Sequence, residues 1–249
     1  MLWEEYLFKS NVRFLKMKIE VIASGSAGNC YKISNEDSTL LIECGIPYKK
    51  IQKALNFKTT DIDGVLVSHE HMDHAKACKD LIKAGVNLYM TKGTKEALKL
   101  DSHRIKSFKN FGDSYFDVDI GSFKIKPFKT VHDAKEPVGF VIYDSLAIEE
   151  LVFITDTQYS IYSFSPDYFM MEVNYVREAI NKNDSLHPDL RARIKENHMS
   201  LDTAINLLER SDLSRLKKIY VMHLSDANSD AEVIKYRLQE LTGVAIEIC

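Results

Sequence analysis

Val67-Ser68-His69-Glu70-His71-Met72-Asp73-His74 sets three imidazoles and the carboxylate of Asp73 within six residues, directly behind an apolar run. Imidazole and carboxylate are the ligands that zinc, manganese and iron accept. A strand over 64–68 delivers His69 and His71 with the same facing, because strand side chains repeat every two residues. Asp73 and His74 fall where the chain turns into the next helix, so they can point at a second ion beside the first. A histidine-rich solvated loop or a tag is the competing reading, but a tag sits at a terminus and has no strand in front of it. The His-Glu-x-x-His helix of zinc proteases is absent, since position 73 is Asp. The stretch is a metal site.

With His-x-His-x-Asp-His at 69–74, the chain resembles the metallo-β-lactamase-fold hydrolases. Three later segments resemble that family's further motifs, in its order. Val131-His132 follows the alternating run 123–128, Thr155-Asp156 ends the apolar stretch 151–154, and His223 ends the apolar stretch 219–222. Each alone is weak, because an Asp behind a strand is commonly a cap or turn residue. Ala23-Ser24-Gly25-Ser26-Ala27-Gly28-Asn29-Cys30, Leu40-Leu41-Ile42-Glu43-Cys44-Gly45, His132-Asp133-Ala134 with Pro137-Val138-Gly139, and His223-Leu224-Ser225 narrow the resemblance to the WalJ/YycJ branch. It runs from about Lys18 to the C-terminus.

The resemblance implies an α/β fold, a four-layer αββα sandwich, and a metal-dependent phosphodiesterase or exonuclease acting on DNA or oligonucleotides. It further implies that His69, His71 and His132 bind one divalent ion, that Asp73, His74 and His223 bind a second, and that Asp156 bridges them. Two such ions hold a hydroxide, lower its pKa toward neutrality and offset phosphoryl charge. Asp73 is then both ligand and orienter of the attacking water. Seven oxygen and nitrogen ligands without Cys argue for open, catalytic metals, whereas structural zinc is commonly closed by Cys. Zinc or manganese is favoured, and the carboxylates also admit iron.

Several positions depart from the branch pattern. Glu43 stands where Asp is usual, Gln158 where Gly is common, Tyr175 where His is usual, and Asn197-His198-Met199-Ser200 replaces Gly-His-Leu-Ser. Carboxylates such as that at 43 orient ligand imidazoles, so the extra methylene bears on metal affinity. His198 is a candidate to protonate a leaving oxygen or contact the scissile phosphate, against the alternative of a helix-capping histidine. Ser24, Ser26 and Asn29 form a polar loop that could meet a phosphate, although a tight turn needing Gly25 and Gly28 explains it equally. His187-Pro188 reads as a helix start, and His103 as solvent-facing.

Composition fits one metallo-hydrolase domain over 17–249, preceded by a leader, 1–16, on which no function is hung. The chain has 249 residues, 45% of them hydrophobic, with ten Gly and five Pro. No apolar run approaches membrane-spanning length, so no membrane association is expected. Cys30, Cys44, Cys78 and Cys249 are not closely paired and read as reduced thiols of a cytoplasmic protein. The net charge of −3 excludes bulk electrostatic attachment to DNA. Local basic groups exist at Lys124, Lys126 and Lys129, at Arg191, Arg193 and Lys195, and at Arg215, Lys217 and Lys218, although such runs are usually solvated faces. The short intervals between His132, Asp156 and His223 leave no room for the large insertion of RNA-processing nucleases of this fold. The alternatives are a small-molecule hydrolase for a cyclic nucleotide, lactone or thioester on the same metals, and a metal-binding regulatory protein whose hydrolytic activity has decayed. Protein partners are unspecified by the sequence.

Overall fold

In the computed structural model, residues 15–109, 118–225 and 227–249 are described. Their strands form two sheets. The first runs in spatial order β1 (Lys18–Ala23), β2 (Cys30–Ser34), β3 (Thr39–Ile42), β4 (Gly64–Leu66), β5 (Leu88–Met90), β6 (Ile105–Ser107). The second comprises β7 (Val118–Ile120), β8 (Phe123–Lys129), β9 (Val138–Asp144), β10 (Glu149–Ile154), β11 (Tyr168–Glu172), β12 (Lys218–Met222) and β13 (Ala245–Ile248), stacked in reverse order from β13 to β7. Strands β3 to β6 are mutually parallel, as are β10 to β13. The helices are α1 (Tyr48–Ala54), α2 (Met72–Ala75), α3 (Cys78–Lys83), α4 (Lys92–Ala97), α5 (Arg177–Lys182), α6 (Pro188–Asn197), α7 (Leu201–Glu209) and α8 (Ala231–Thr242).

The period-2 alternation of the strands sorts their side chains between layers. Tyr31, Ile33, Leu40, Ile42 and Leu66 meet Leu151, Phe153, Met170 and Met222 in a core between the sheets. The alternate residues Val152, Ile154, Phe169, Met171, Ile219 and Val221 pack on Leu201, Leu207 and Leu208 of α7 and Ile234 and Leu238 of α8. On the other side, Cys30, Leu41, Val65 and Val67 pack on Ile51 of α1, Ala75 of α2, and Cys78 and Leu81 of α3. Three apolar spaces separate four layers, which is the αββα sandwich expected.

Differences from the expected elements are local. The strand expected over 64–68 ends at Leu66, and the helix expected at Asp73 and His74 is two short helices, α2 and α3, interrupted at Lys76 and Ala77. Of the leader, 1–14 lies outside the described residues, as does the segment 110–117. The final helix is capped by Asp230, which accepts the N–H groups of Glu232 and Val233.

The loop after β3 is stitched to the metal motif by backbone hydrogen bonds. Cys44 N–H donates to the His74 carbonyl and Asn29 N–H to that of Asp73, while Gly45 N–H donates to Asn29. Gly45 is where the two segments press together: a Cβ there would lie 1.6 Å from the Asp73 carbonyl oxygen. Gly45→Ala should therefore cost about 3 kcal/mol of stability, as overpacking against backbone does, and displace Asp73 and His74. Thermal unfolding and bound-metal content should fall together, and an unchanged melting temperature would contradict the contact.

Candidate metal centre

Most of the functional side chains stand at or just beyond the carboxyl ends of strands. His69 follows β4, His132 follows β8, Asp156 follows β10, Glu172 ends β11 and His223 follows β12. Glu43, Asp156 and His223 take left-handed backbone conformations, with φ of 63°, 44° and 55°. Such conformations are uncommon without glycine and gather at functional sites.

Among the described residues, three donor groups share the Asp156 carboxylate; two of them hold the seven candidate ligands, and the third joins Glu172 and His198 to Asp156 and His223. Ligand atoms of His69, His71, His132 and Asp156 lie within 4.8 Å of one another, and so do those of Asp73, His74, Asp156 and His223. In the first group His71 Nδ1 is 3.0 Å from His69 Nε2 and 3.2 Å from His132 Nε2. Asp156 Oδ2 is 3.4 Å from His69 Nε2 and 3.8 Å from His132 Nε2. Tetrahedral donors about 2.0–2.2 Å from zinc stand about 3.3–3.6 Å apart. In the second group His74 Nε2 is 2.8 Å from Asp156 Oδ2 and 3.3 Å from Asp73 Oδ2, while His223 Nε2 is 3.4 Å from the same Asp73 oxygen.

The outer nitrogens show why a cation fits. His132 Nδ1 faces the Asn197 carbonyl at 3.1 Å. A carbonyl only accepts, so Nδ1 carries the proton and Nε2 turns its lone pair inward. His69 Nδ1 lies 2.9 Å from Ser68 Oγ, which leaves its Nε2 facing the same point. Burial lowers the pKa of both imidazoles, that of His69 far below its ordinary value, so they are neutral and their lone pairs converge. Buried Glu43 lies behind His74, with Oε2 3.6 Å from His74 Nδ1, and that nitrogen has no hydrogen-bond partner. The Glu43 carboxylate accepts the Ser68 N–H, at 3.2 Å from Oε1 and 3.4 Å from Oε2.

The second group is electrostatically opposite. Burial alone would lower His74 and His223, but the Asp156 carboxylate overrides it, raising His74 well above its ordinary value and His223 to about 9. Burial would raise Asp73, yet hydrogen bonds from His223 and His74 hold its carboxyl far below the usual range. Without a cation, protons on imidazole balance these carboxylates.

An open cleft of about 330 Å³ leads to the centre, lined by Ser26, Asp73, His132, Arg193 and His198 among others. Of the polar loop, Ser26 reaches the cleft while Ser24 and Asn29 turn inward. Ser24 Oγ accepts from Tyr31 OH and His223 N–H, and Asn29 Oδ1 accepts from Gly25 N–H. His187 caps α6 by accepting from Asp189 N–H, as its Pro neighbour suggests. Glu172 carries no role in the sequence reading, although it ends an apolar strand as Asp156 nearly does. In the structure it is fully buried, with Oε1 2.6 Å from His198 Nδ1 and Oε2 accepting the N–H groups of Thr157 and Met199. Three of the four departures also acquire physical roles: Glu43 as above, Gln158 donating to the Lys195 carbonyl, and Asn197 accepting from Asp133 N–H while donating to the Arg193 carbonyl. Tyr175 is buried and its backbone pairs with Ser200.

A family model described as a beta-lactamase superfamily domain matches residues 39–224, a span holding all seven candidate ligands. Exodeoxyribonuclease WalJ of Streptococcus pneumoniae (strain D39) is 30% identical over 239 residues, covering 87% of this chain and 84% of that protein. Exodeoxyribonuclease YycJ of Bacillus anthracis is 26% identical over 238 residues, covering 90% and 89%. Among solved structures, the metallo-beta-lactamase fold protein YhfI from Bacillus subtilis superposes with a TM-score of 0.72 at 19% identity, covering 94% of this chain and 96% of that one.

In the metal-free protein His223 keeps its proton up to about pH 9 and must release it to become a ligand. Metal uptake near neutral pH should therefore release protons, and affinity should rise with pH toward about 9. Calorimetry in buffers of different ionisation enthalpy counts those protons, and uptake with none released would contradict the assignment. The same raised pKa stabilises the metal-free fold fully below about pH 6.5, and that contribution is lost as pH rises through about 9.

Proposed function

The chain belongs to the beta-lactamase superfamily, and from that premise we propose that it is a metal-dependent phosphodiesterase that shortens DNA from its ends. The observation that carries the reading is the pair of donor groups meeting at Asp156, opening on a cleft that also presents His198. The exodeoxyribonuclease relatives support DNA as the substrate class. His69, His71, His132 and Asp156 would hold one divalent cation, and Asp73, His74, His223 and the same Asp156 a second, with zinc or manganese suited to the set. Two bound cations supply Lewis acidity toward the phosphoryl oxygens and a water acidic enough to attack at neutral pH.

The chain's own residues do the rest. Asp73 is partly exposed at the cleft, where its carboxylate can orient water as well as a cation. His198 is the proton donor to the leaving oxygen. Burial would lower its pKa, but the Glu172 carboxylate beside Nδ1 overrides this and raises it above the ordinary imidazole value, which favours the protonated ring a donor needs. Both Glu172 oxygens are engaged, by His198 on one side and by two backbone N–H groups on the other. Glu172 thus serves as an anchor for the imidazole.

Among the described residues no helix is long and apolar enough to cross a membrane. The free cysteines fit a reducing compartment, which supports the cytoplasm as the place of action.

End-labelled linear double-stranded DNA should be shortened from its ends with manganese or zinc and left intact with chelator or in Asp73→Ala. A metal-loaded protein that leaves DNA intact but opens a cyclic nucleotide, lactone or thioester would replace this reading with a small-molecule hydrolase. His198→Ala should lower kcat on DNA by about 10²–10⁴-fold. The loss should be far smaller on a p-nitrophenyl phosphodiester, whose leaving group needs no proton. Equal losses on both substrates would remove His198 as the acid.

A further inference from the structure

α6 has the spacing of a core helix and the environment of a surface one. Leu190, Arg193, Ile194 and Asn197 recur at i, i+3, i+4 and i+7, the stripe by which an amphipathic helix ordinarily turns to its core. Yet none of the ten residues of α6 is buried, and this stripe lines the cleft over the metal centre. The basic residues of α6 divide accordingly. Arg191 donates to the Asn183 carbonyl and Lys195 to Asn181 Oδ1, both held toward the 181–183 segment. Arg193, two residues from each and hence on the opposite side of the helix, enters the cleft.

Arg193 is the sole Lys or Arg in the lining of that cleft among the described residues. Its ion pair is a loose one, 3.9 Å from an Asp133 carboxylate, with both side chains well exposed. An exposed pair of this kind is worth little and is easily exchanged for a phosphate. The basic group around the start of β12 is committed elsewhere. Arg215 and Lys217 pair with Asp167, Lys217 also with Glu149, and Lys218 with Glu247, all before or at the start of β12 and so at the far end from His223. Beside Arg193, Leu190 is about half exposed, and with Ile194 it offers an apolar ledge of the kind that supports a nucleobase.

We propose that α6 is the strand-recognition element of this enzyme. Arg193 takes the phosphate neighbouring the scissile one, and Leu190 and Ile194 support the base between them. The inference rests on the phosphodiesterase reading and sharpens it: the substrate is a polynucleotide strand carrying successive phosphates, and an isolated phosphodiester or cyclic nucleotide lacks the second contact. α6 is also tied to the centre, because Asn197 at its end holds the His132 loop through Asp133 N–H and faces His132 Nδ1 with its carbonyl. A strand seated on α6 is thereby registered against the ligand imidazole.

The test compares wild type, R193A, R193K and the L190A/I194A double variant on a single-stranded 12-mer and on bis(p-nitrophenyl) phosphate, across a range of salt. For R193A, KM on the 12-mer should rise about tenfold with kcat within twofold. Its slope of log KM against log salt should shrink by about 0.7, the share of one single-strand phosphate. R193K should retain the slope, and L190A/I194A should raise KM without changing it. An R193A slope equal to that of wild type, or a parallel loss of kcat on both substrates, would overturn the inference while leaving the nuclease reading intact. Wild type that shortens double-stranded DNA but leaves the 12-mer intact would overturn this inference alone, and wild type that cleaves neither these substrates nor double-stranded DNA would overturn that reading, and this inference with it.

Discussion

Asp156 Oδ2 lies within 3.8 Å of three imidazole nitrogens, from His69, His74 and His132, and Oδ1 lies 3.6 Å from a fourth, on His223. So many ligand atoms crowd one buried carboxylate that the arrangement is stable only with positive charge among them. Protons supply that charge on the His74 and His223 side. On the His69 and His132 side burial keeps the rings neutral, so their lone pairs face one another. Divalent cations answer both conditions at once, since they accept lone pairs and balance carboxylates. The rest of the structure holds this crowd in place.

It does so by ending strands together. Parallel β10, β11 and β12 stop side by side and deliver Asp156, Glu172 and His223, while β4 in the facing sheet leads to His69. Left-handed backbone at Glu43, Asp156 and His223 costs on the order of 1–3 kcal/mol at each. It is maintained by the layers behind it and by specific straps, such as Ser24 Oγ accepting His223 N–H and Asn174 Nδ2 donating to the His223 carbonyl. Gly45, pressed on the Asp73 carbonyl, joins the two halves of the motif.

Much of this was legible in the residues. The His-x-His-x-Asp-His stretch and the three later ligand-ended strands fall in the two donor groups, because ligand type and strand alternation are local properties. Layer assignment was legible for the same reason. Glu172 was not, since a carboxylate ending an apolar strand carries no sign of its partner, and His198 lies 26 residues on. Ser24 and Asn29 look like Ser26 in sequence, and only the tertiary path of the loop turns them inward. The stripe of α6 gives the opposite lesson. Its i, i+3, i+4, i+7 spacing resembles a core face, whereas its surroundings make it the wall of an open cleft.

The most direct test of the shared-carboxylate account is the metal content of purified protein loaded with zinc or manganese and desalted, wild type beside Asp156→Asn. The account predicts two ions per wild-type chain and less than one in the variant, because both groups lose their common ligand. One ion in wild type, or two retained in the folded variant, would contradict it.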